Sequence, residues 1–332
     1  MSGIENRVVE ADEAGMRLDR WFKQHYPGLG FGQLQKLLRT GQVRLDGARA
    51  RSDARVRSGQ TVRVPPGVGE PRRSGPLTAN TIRHRGDHDV LSSMLLYEDE
   101  RVYVLNKPAG LATQGGSGVV RHVDGMLEAW RNKKGEKPRL VHRLDRDTSG
   151  VLMIARTRRA AQDLTAAFRR RETRKIYWSL VKGVPPKREG RVSNWLAKEQ
   201  TPDGDRMRVV PHGTDGADHA VSRWRLIEAA GQRLAWLEMQ PETGRTHQLR
   251  VHALAIGHPI IGDPKYFEAD QNWDFPGGIQ KRLHLHARQL AVPLNGAIID
   301  VTAPLPPHMV QSWNLLGLDE ASATDGSTED GA

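Results

Sequence analysis

Asp145 is the residue best placed to do chemistry in this chain of 332 residues. It lies in Leu140-Val141-His142-Arg143-Leu144-Asp145-Arg146-Asp147-Thr148-Ser149-Gly150-Val151-Leu152, where two apolar runs bracket a dense polar group. That pattern predicts a strand, a tight turn and a second strand. A carboxylate on a rigid turn can face a cleft and serve as nucleophile, charge stabiliser or proton acceptor. Arg143 and Arg146 stand beside it, suited to keep it ionised and to receive phosphate. The same residues would also suit an aspartate that only accepts backbone N–H bonds and closes the turn.

Other polar stretches narrow the chemistry. Lys175-Ile176-Tyr177-Trp178-Ser179-Leu180-Val181 alternates as a strand, with Tyr177 on the opposite face from Ile176, Trp178 and Leu180. Gly244-Arg245-Thr246-His247-Gln248-Leu249-Arg250-Val251-His252 follows a predicted strand, presents Arg245 on a turn and opens a helix that should stop by Gly257-His258-Pro259. His247, His252, His284 and His286 have neither His-Glu-x-x-His nor finger spacing, so they are expected to be packing histidines and no metal site is expected. Ser149, His142 and Asp147 sit too close together on one turn to form a hydrolase relay, and no Gly-x-Ser-x-Gly elbow is present. Gln114-Gly115-Gly116-Ser117-Gly118 lacks the Lys-Ser or Lys-Thr that completes a nucleotide-binding P-loop.

The elements that must position these residues divide the chain. Leu18, Trp21 and Phe22, then Phe31, Leu34 and Leu38, recur at helical spacing, and Val43, Leu45, Val56, Val62 and Val64 suggest short strands around Asp46-Gly47 and Ser58-Gly59. Ala160, Ala161, Leu164, Ala167 and Phe168 define one helix face ending in Arg169-Arg170-Arg171. Residues 1–15 are read as an extension, 16–65 as a small basic domain, 66–94 as a Pro/Gly/Arg-rich linker, 95–317 as the main domain and 318–332 as an acidic disordered tail. The stretch from Pro185 to Asp218 says little about chemistry.

A net charge of +11 favours a polyanionic partner, because neutralising phosphates releases counterions. The absence of cysteine excludes disulfides, thiolate metal sites and cysteine nucleophiles. With neither a secretory signal nor about 18 uninterrupted apolar residues, a cytoplasmic protein with no membrane partner is expected.

His142-Arg143-Leu144-Asp145-x-x-Thr148-Ser149-Gly150 resembles the central signature of the RluA-type pseudouridine synthases. Asn106-Lys107-Pro108-x-Gly110, Lys175-x-Tyr177, Gly244-Arg245-Thr246-His247-Gln248-x-Arg250, Gly262-Asp263-Pro264-Lys265-Tyr266 and Leu283-His284-Leu285-His286-Ala287 are similar to that family's other motifs. Arg17-Leu18-Asp19-Arg20-Trp21, Leu37-Leu38-Arg39-Thr40-Gly41-Gln42-Val43 and Val56-Arg57-Ser58-Gly59-Gln60-Thr61-Val62 resemble an alpha-L RNA-binding module, with Phe31-Gly32 where that module usually has Ser-Arg.

The resemblance implies an α+β fold: a catalytic domain on a mainly antiparallel mixed sheet, plus the small α/β module. It also implies an isomerase that needs no cofactor, converts uridine in RNA and turns its target base out of the helix. Asp145 would be the nucleophile, with attack on the sugar and elimination through a glycal both open. Arg245 would pair with Asp145, Tyr177 would lie against the uracil, and Arg143 would fill the vacated stack. Arg17, Arg20, Lys36 and Arg39 would contact RNA, and Lys107, Arg146 and Arg250 would be RNA phosphate or structural contacts rather than chemical groups. The attached module and Gly115-Gly116-Ser117-Gly118 point to the RluC-like branch acting, as a monomer, on large-subunit ribosomal RNA or the assembling subunit. Transfer RNA and a non-catalytic assembly factor are the rival readings.

Overall fold

The computed structural model describes residues 4–26, 28–68, 81–116, 119, 121–133, 135–201, 205–267 and 277–323. The chain divides into two compact units, Met1–Ala79 and Asn80–Ala332.

The first unit folds because its apolar periodicity is helical and then strand-like. β1 (Glu5–Val8), α1 (Leu18–His25), α2 (Phe31–Arg39), β2 (Arg44–Leu45), β3 (Ala48–Arg49) and β4 (Thr61–Val64) follow in order. The sheet runs β1-β4-β2-β3, all antiparallel. Leu18, Trp21, Phe22, Leu34, Leu38 and Val62 are among its core residues. Part of the expected extension at 1–15 is therefore structural: β1 pairs with β4, and buried Glu13 accepts from Trp21 Nε1 at 2.9 Å and contacts His25.

The second unit begins earlier than expected. Within the predicted linker at 66–94, α3 (Thr81–Ser93) is a helix whose Leu91 is buried, because an apolar pocket accepts its last turn despite weak amphipathicity. Residues 71–76 of that linker lie outside the described residues, as do Ser117-Gly118 and 324–332 of the predicted tail.

The strands are β5 (Leu95–Glu98), β6 (Val102–Lys107), β7 (Arg139–Leu140), β8 (Ser149–Ala155), β9 (Arg174–Lys182), β10 (Glu189–Glu199), β11 (Arg206–Val210), β12 (Asp218–Ala230), β13 (Leu234–Pro241), β14 (Leu285–Leu294) and β15 (Ala297–Thr302). The helices are α4 (Val123–Met126), α5 (Arg158–Arg170), α6 (Gln248–Ala255) and α7 (Pro307–Leu316). The sheet order is β11-β10-β12-β13-β9-β14-β8-β6-β5, with β15 on β14 and β7 on β8. Among the described residues β8–β14 is the parallel pairing and the rest are antiparallel, so the α+β mixed sheet is as expected.

Burial explains why the central strands do not alternate. Every residue of β8 is buried, since cores lie on both faces, and such strands carry continuous apolar runs. The uninformative stretch from Pro185 to Asp218 supplies β10 and β11, the far edge of the sheet.

The predicted tail is also shorter than expected. Leu318 is buried, and Glu320 pairs with Arg288 at 2.7 Å. Glu320 is thereby held onto the body through Arg288 of β14.

Gly150 fixes the central turn against the sheet. Its φ is +112°, and a Cβ there would stand 2.2 Å from the Ala287 carbonyl oxygen. Only glycine lets β8 approach β14 closely enough to pair.

Candidate active site

Three chain-distant segments converge on a cavity of about 540 Å³. The turn before β8 supplies Asp145, β9 supplies Tyr177, and the segment entering α6 supplies Arg245, His247 and Arg250.

Asp145 sits on a clamped turn. On one side, the Thr113 hydroxyl donates to the Leu144 carbonyl at 2.7 Å and accepts from the Leu144 N–H at 3.2 Å. On the other, the Arg146 carbonyl accepts from Lys107 Nζ at 3.1 Å and from the Gly110 N–H at 2.8 Å. Lys107 Nζ also donates to the carbonyls of Pro108 and Leu111 at 2.9 and 2.7 Å. The Asn-Lys-Pro loop therefore grips the residues on either side of the nucleophile candidate.

Of the two roles expected for Lys107, phosphate or structural contact, the fold gives it the structural one. It is fully buried, because three backbone carbonyls take its three donors. Burial pushes its ammonium down to about 7, against the opposing pull of Asp147 and Asp145.

The cation facing Asp145 is also different from the expected one. Arg245 lies exposed on the cavity wall, donates Nε to the His219 carbonyl at 3.2 Å and places Nη1 3.4 Å from Asp218. Arg250 instead brings Nη1 to 3.8 Å from Asp145 Oδ2. Arg245 precedes α6 and is drawn outward by β12, whereas Arg250 falls on the buried first turns of the helix. Arg250 is therefore not a surface phosphate contact: its Nε and Nη2 donate to Asp263 at 2.7 and 2.6 Å, both groups buried. Nearby Asp263 keeps the guanidinium above its usual range despite burial, the largest and opposing influence.

His247, expected only to pack, belongs to the site. Its φ of 53° places it in the left-handed region at the start of α6, turning the ring toward the cavity. Nε2 lies 4.0 Å from Asp145 Oδ2, and Nδ1 is 2.8 Å from the Tyr266 hydroxyl. That hydroxyl also accepts the Met207 N–H at 2.8 Å, which anchors the ring of His247 beside Asp145. Burial lowers its pKa, partly offset by Asp145. A surface motif of type Gly-Arg-Thr-His carries no periodic signal for this, and Asp263 and Tyr266 come from a separate loop.

Tyr177 is half-buried beside Asp145 on the wall of the same cavity. Burial first, and the Asp145 charge second, push its phenol well above the usual tyrosine range. It presents a protonated ring. Buried Thr148, also on the wall, has a hydroxyl without a hydrogen-bond partner.

The remaining predicted residues are outside this centre. Arg143 is exposed on the rim and donates to the Thr246 hydroxyl at 2.5 Å, while Arg146 is exposed and pairs with Asp147 at 3.2 Å. Neither neighbour contacts the Asp145 carboxylate. In the first unit Arg17, Arg20, Lys36 and Arg39 are exposed, Arg17 being held by Asp19 at 2.7 Å.

The other histidines pack separately. His252 Nδ1 meets the Ser222 hydroxyl at 2.9 Å, His284 Nε2 the Ser312 hydroxyl at 2.8 Å, and His286 Nδ1 the Ser149 hydroxyl at 2.9 Å. Among the described residues no group of His, Cys, Asp or Glu is arranged to hold a metal ion, and no helix is long and apolar enough to cross a membrane.

A mixed, mainly antiparallel sheet thus holds a clamped aspartate, a facing guanidinium and a tyrosine around one cleft. A family model described as RNA pseudouridylate synthase matches residues 101–255. The chain is 33% identical over 311 residues to a ribosomal large subunit pseudouridine synthase C of Vibrio cholerae, covering 92% of this chain and 94% of that one. It is 35% identical over 308 residues to an uncharacterized RNA pseudouridine synthase of Synechocystis, covering 89% and 87%. The solved structure of human RNA pseudouridylate synthase domain containing 4 aligns with a TM-score of 0.60 and 29% identity, covering 72% of this chain and 98% of that one. The chain belongs to the RNA pseudouridine synthase family, and it is a pseudouridine synthase.

Proposed function

We propose that this synthase isomerises specific uridines of large-subunit ribosomal RNA, with Asp145 acting on the ribose of a flipped-out nucleotide. One observation carries the reading of the site: Asp145, Tyr177 and Arg250 meet in one cavity of about 540 Å³, roomy enough to admit a nucleoside. The large-subunit target rests on the likeness to the ribosomal large subunit synthases.

The reaction breaks the bond between the ribose anomeric carbon and uracil N1, turns the held base and joins the ribose to C5. The C5 proton leaves and N1 gains one, so composition is unchanged and no redox partner is needed. Asp145 supplies the negative charge, either by attacking the anomeric carbon or by assisting removal of a ribose proton. Arg250, immobilised by Asp263, and the ring of His247 at 4.0 Å orient that carboxylate. Tyr177, protonated, stacks on the freed uracil and keeps water from it. Arg143 at the rim fills the stack the uridine leaves, offsetting an unstacking cost of a few kcal/mol. Arg245 holds backbone phosphate at the mouth, and the small basic unit with Arg17, Arg20, Lys36 and Arg39 adds affinity for RNA.

The test is tritium release from 5-tritiated uridine in large-subunit ribosomal RNA, with no cofactor added. Stoichiometric release with pseudouridine as product is expected, at positions that revert to uridine in RNA from a strain lacking the protein. Free uracil, or tritium release from transfer RNA alone, would overturn the assignment.

A further inference from the structure

A second cavity, of about 290 Å³, adjoins the catalytic cleft and shares Arg171 and Lys175 with its wall. Thr173, Arg174, Arg223 and Gln240 line the rest of the basic side, and Glu242 is its acid. That acid is already engaged. Its Oε1 accepts from Arg223 Nε at 2.8 Å and lies 3.7 Å from Arg191 Nε.

Arg171, Arg174 and Lys175 have no ion pair with a carboxylate among the described residues. Lys175 is also half-buried, and burial together with the Arg171 charge lowers its pKa. A cation drawn from water normally has an anionic partner. Half-buried Lys175 has none among the described residues, and the cavity's acid, Glu242, is taken by Arg223. Arg171 ends α5 in the left-handed conformation, φ 59°, and the chain turns there so that it and Arg174 border the same cavity. The wall also contains buried Thr173, whose hydroxyl has no hydrogen-bond partner.

We propose that this second cavity is a phosphodiester subsite, holding the backbone phosphate of a nucleotide that flanks the uridine in the catalytic cleft. A phosphate oxygen among these groups relieves the repulsion between three cations and gives the Thr173 hydroxyl an acceptor. Guanidinium forks match phosphate geometry, which favours this ligand over a lone base. Because the two cavities share a wall, the anchored strand is held next to the point where its target leaves the stack. The subsite thus provides leverage for flipping as well as affinity. The inference rests on the RNA reading of the neighbouring cleft.

The experiment is a methylphosphonate scan of a short RNA substrate, in which one linkage at a time is made neutral. Binding is measured for the wild type, Arg174→Ala, Arg174→Lys and the Arg171→Ala/Arg174→Ala double variant. Both arginines are exposed, so the variants should keep the wild-type melting temperature. In the wild type, neutralising one linkage beside the target uridine should weaken binding about tenfold, and the double variant should be insensitive to that same replacement. The double variant's salt slope should be shallower by about 0.7 for each phosphate it no longer neutralises, while Arg174→Lys, which keeps the charge, should retain the wild-type slope. Equal sensitivity of wild type and double variant at every linkage, or an unchanged salt slope in the double variant, overturns the subsite. Turnover is scored separately. A wild type that binds with the expected scan but forms no pseudouridine would overturn the activity reading and leave the subsite standing.

Discussion

Arg250 faces Asp145 at 3.8 Å while its other nitrogens grip both carboxylate oxygens of Asp263. The arginine is therefore oriented before substrate arrives, and its free nitrogen is directed at the Asp145 carboxylate. Arg250→Lys cannot reproduce this fork and leaves Asp263 buried with a poorer partner. Breaking a buried pair by removing one side costs about 3–5 kcal/mol, so Arg250→Met should lower the denaturant midpoint sharply and abolish turnover. Arg245→Met, exposed, should change stability by less than about 1 kcal/mol and raise KM more than it lowers kcat. Steady-state kinetics with urea unfolding check both. Equal stability of the two variants would contradict the geometry.

Asp145→Asn removes the charge and keeps the shape. Isomerisation should vanish while RNA affinity stays within about tenfold, a bound of about 1.4 kcal/mol. Filter binding beside tritium release measures the two. Turnover that survives this substitution would remove Asp145 from the chemistry.

Lys107→Met should leave three backbone carbonyls without their common donor and loosen the turn that carries Asp145. A large fall in kcat with nearly unchanged RNA affinity and salt slope is expected, because the side chain is buried away from solvent. A selective loss of affinity would return Lys107 to the RNA surface.

Tyr177 should remain a neutral phenol at working pH, since burial and the Asp145 charge both raise its pKa. The kcat profile should therefore show no limb due to tyrosine ionisation between about pH 7 and about pH 9, and Tyr177→Phe should have the same profile shape with reduced rate. An alkaline rise present in the wild type and missing in the phenylalanine variant would assign a phenolate base instead.

His252, His284 and His286 have pKa values pushed down to about 4, in each case first by burial. The unfolded chain protonates them near about 6.5. Between those values the unfolded state binds more protons, so stability falls as pH is lowered from about 6.5 to about 4, by at most ~1.4 kcal/mol per pH unit for each residue. Urea midpoints across that range should show the slope, and His252→Asn should flatten it. A midpoint that rises on acidification would mean that these rings are charged in the fold.

The sequence by itself determined much of this protein. The apolar periods placed α1, α2, α5 and the central strands, and the polar turn before Gly150 singled out Asp145 as the candidate, because local spacing and glycine's freedom act over a few residues. Which guanidinium meets that carboxylate was decided only in three dimensions. Arg245 and Arg250 stand five positions apart in one motif, and the choice depends on the left-handed turn at His247, the outward pull of Asp218 and the buried Asp263 on another loop. Lys107 likewise looks like a surface cation until the fold brings the Arg146 carbonyl to it across the chain. The second basic cavity is equally a product of packing, since β13 must lie between β12 and β9 before Arg223 and Arg174 can border one space.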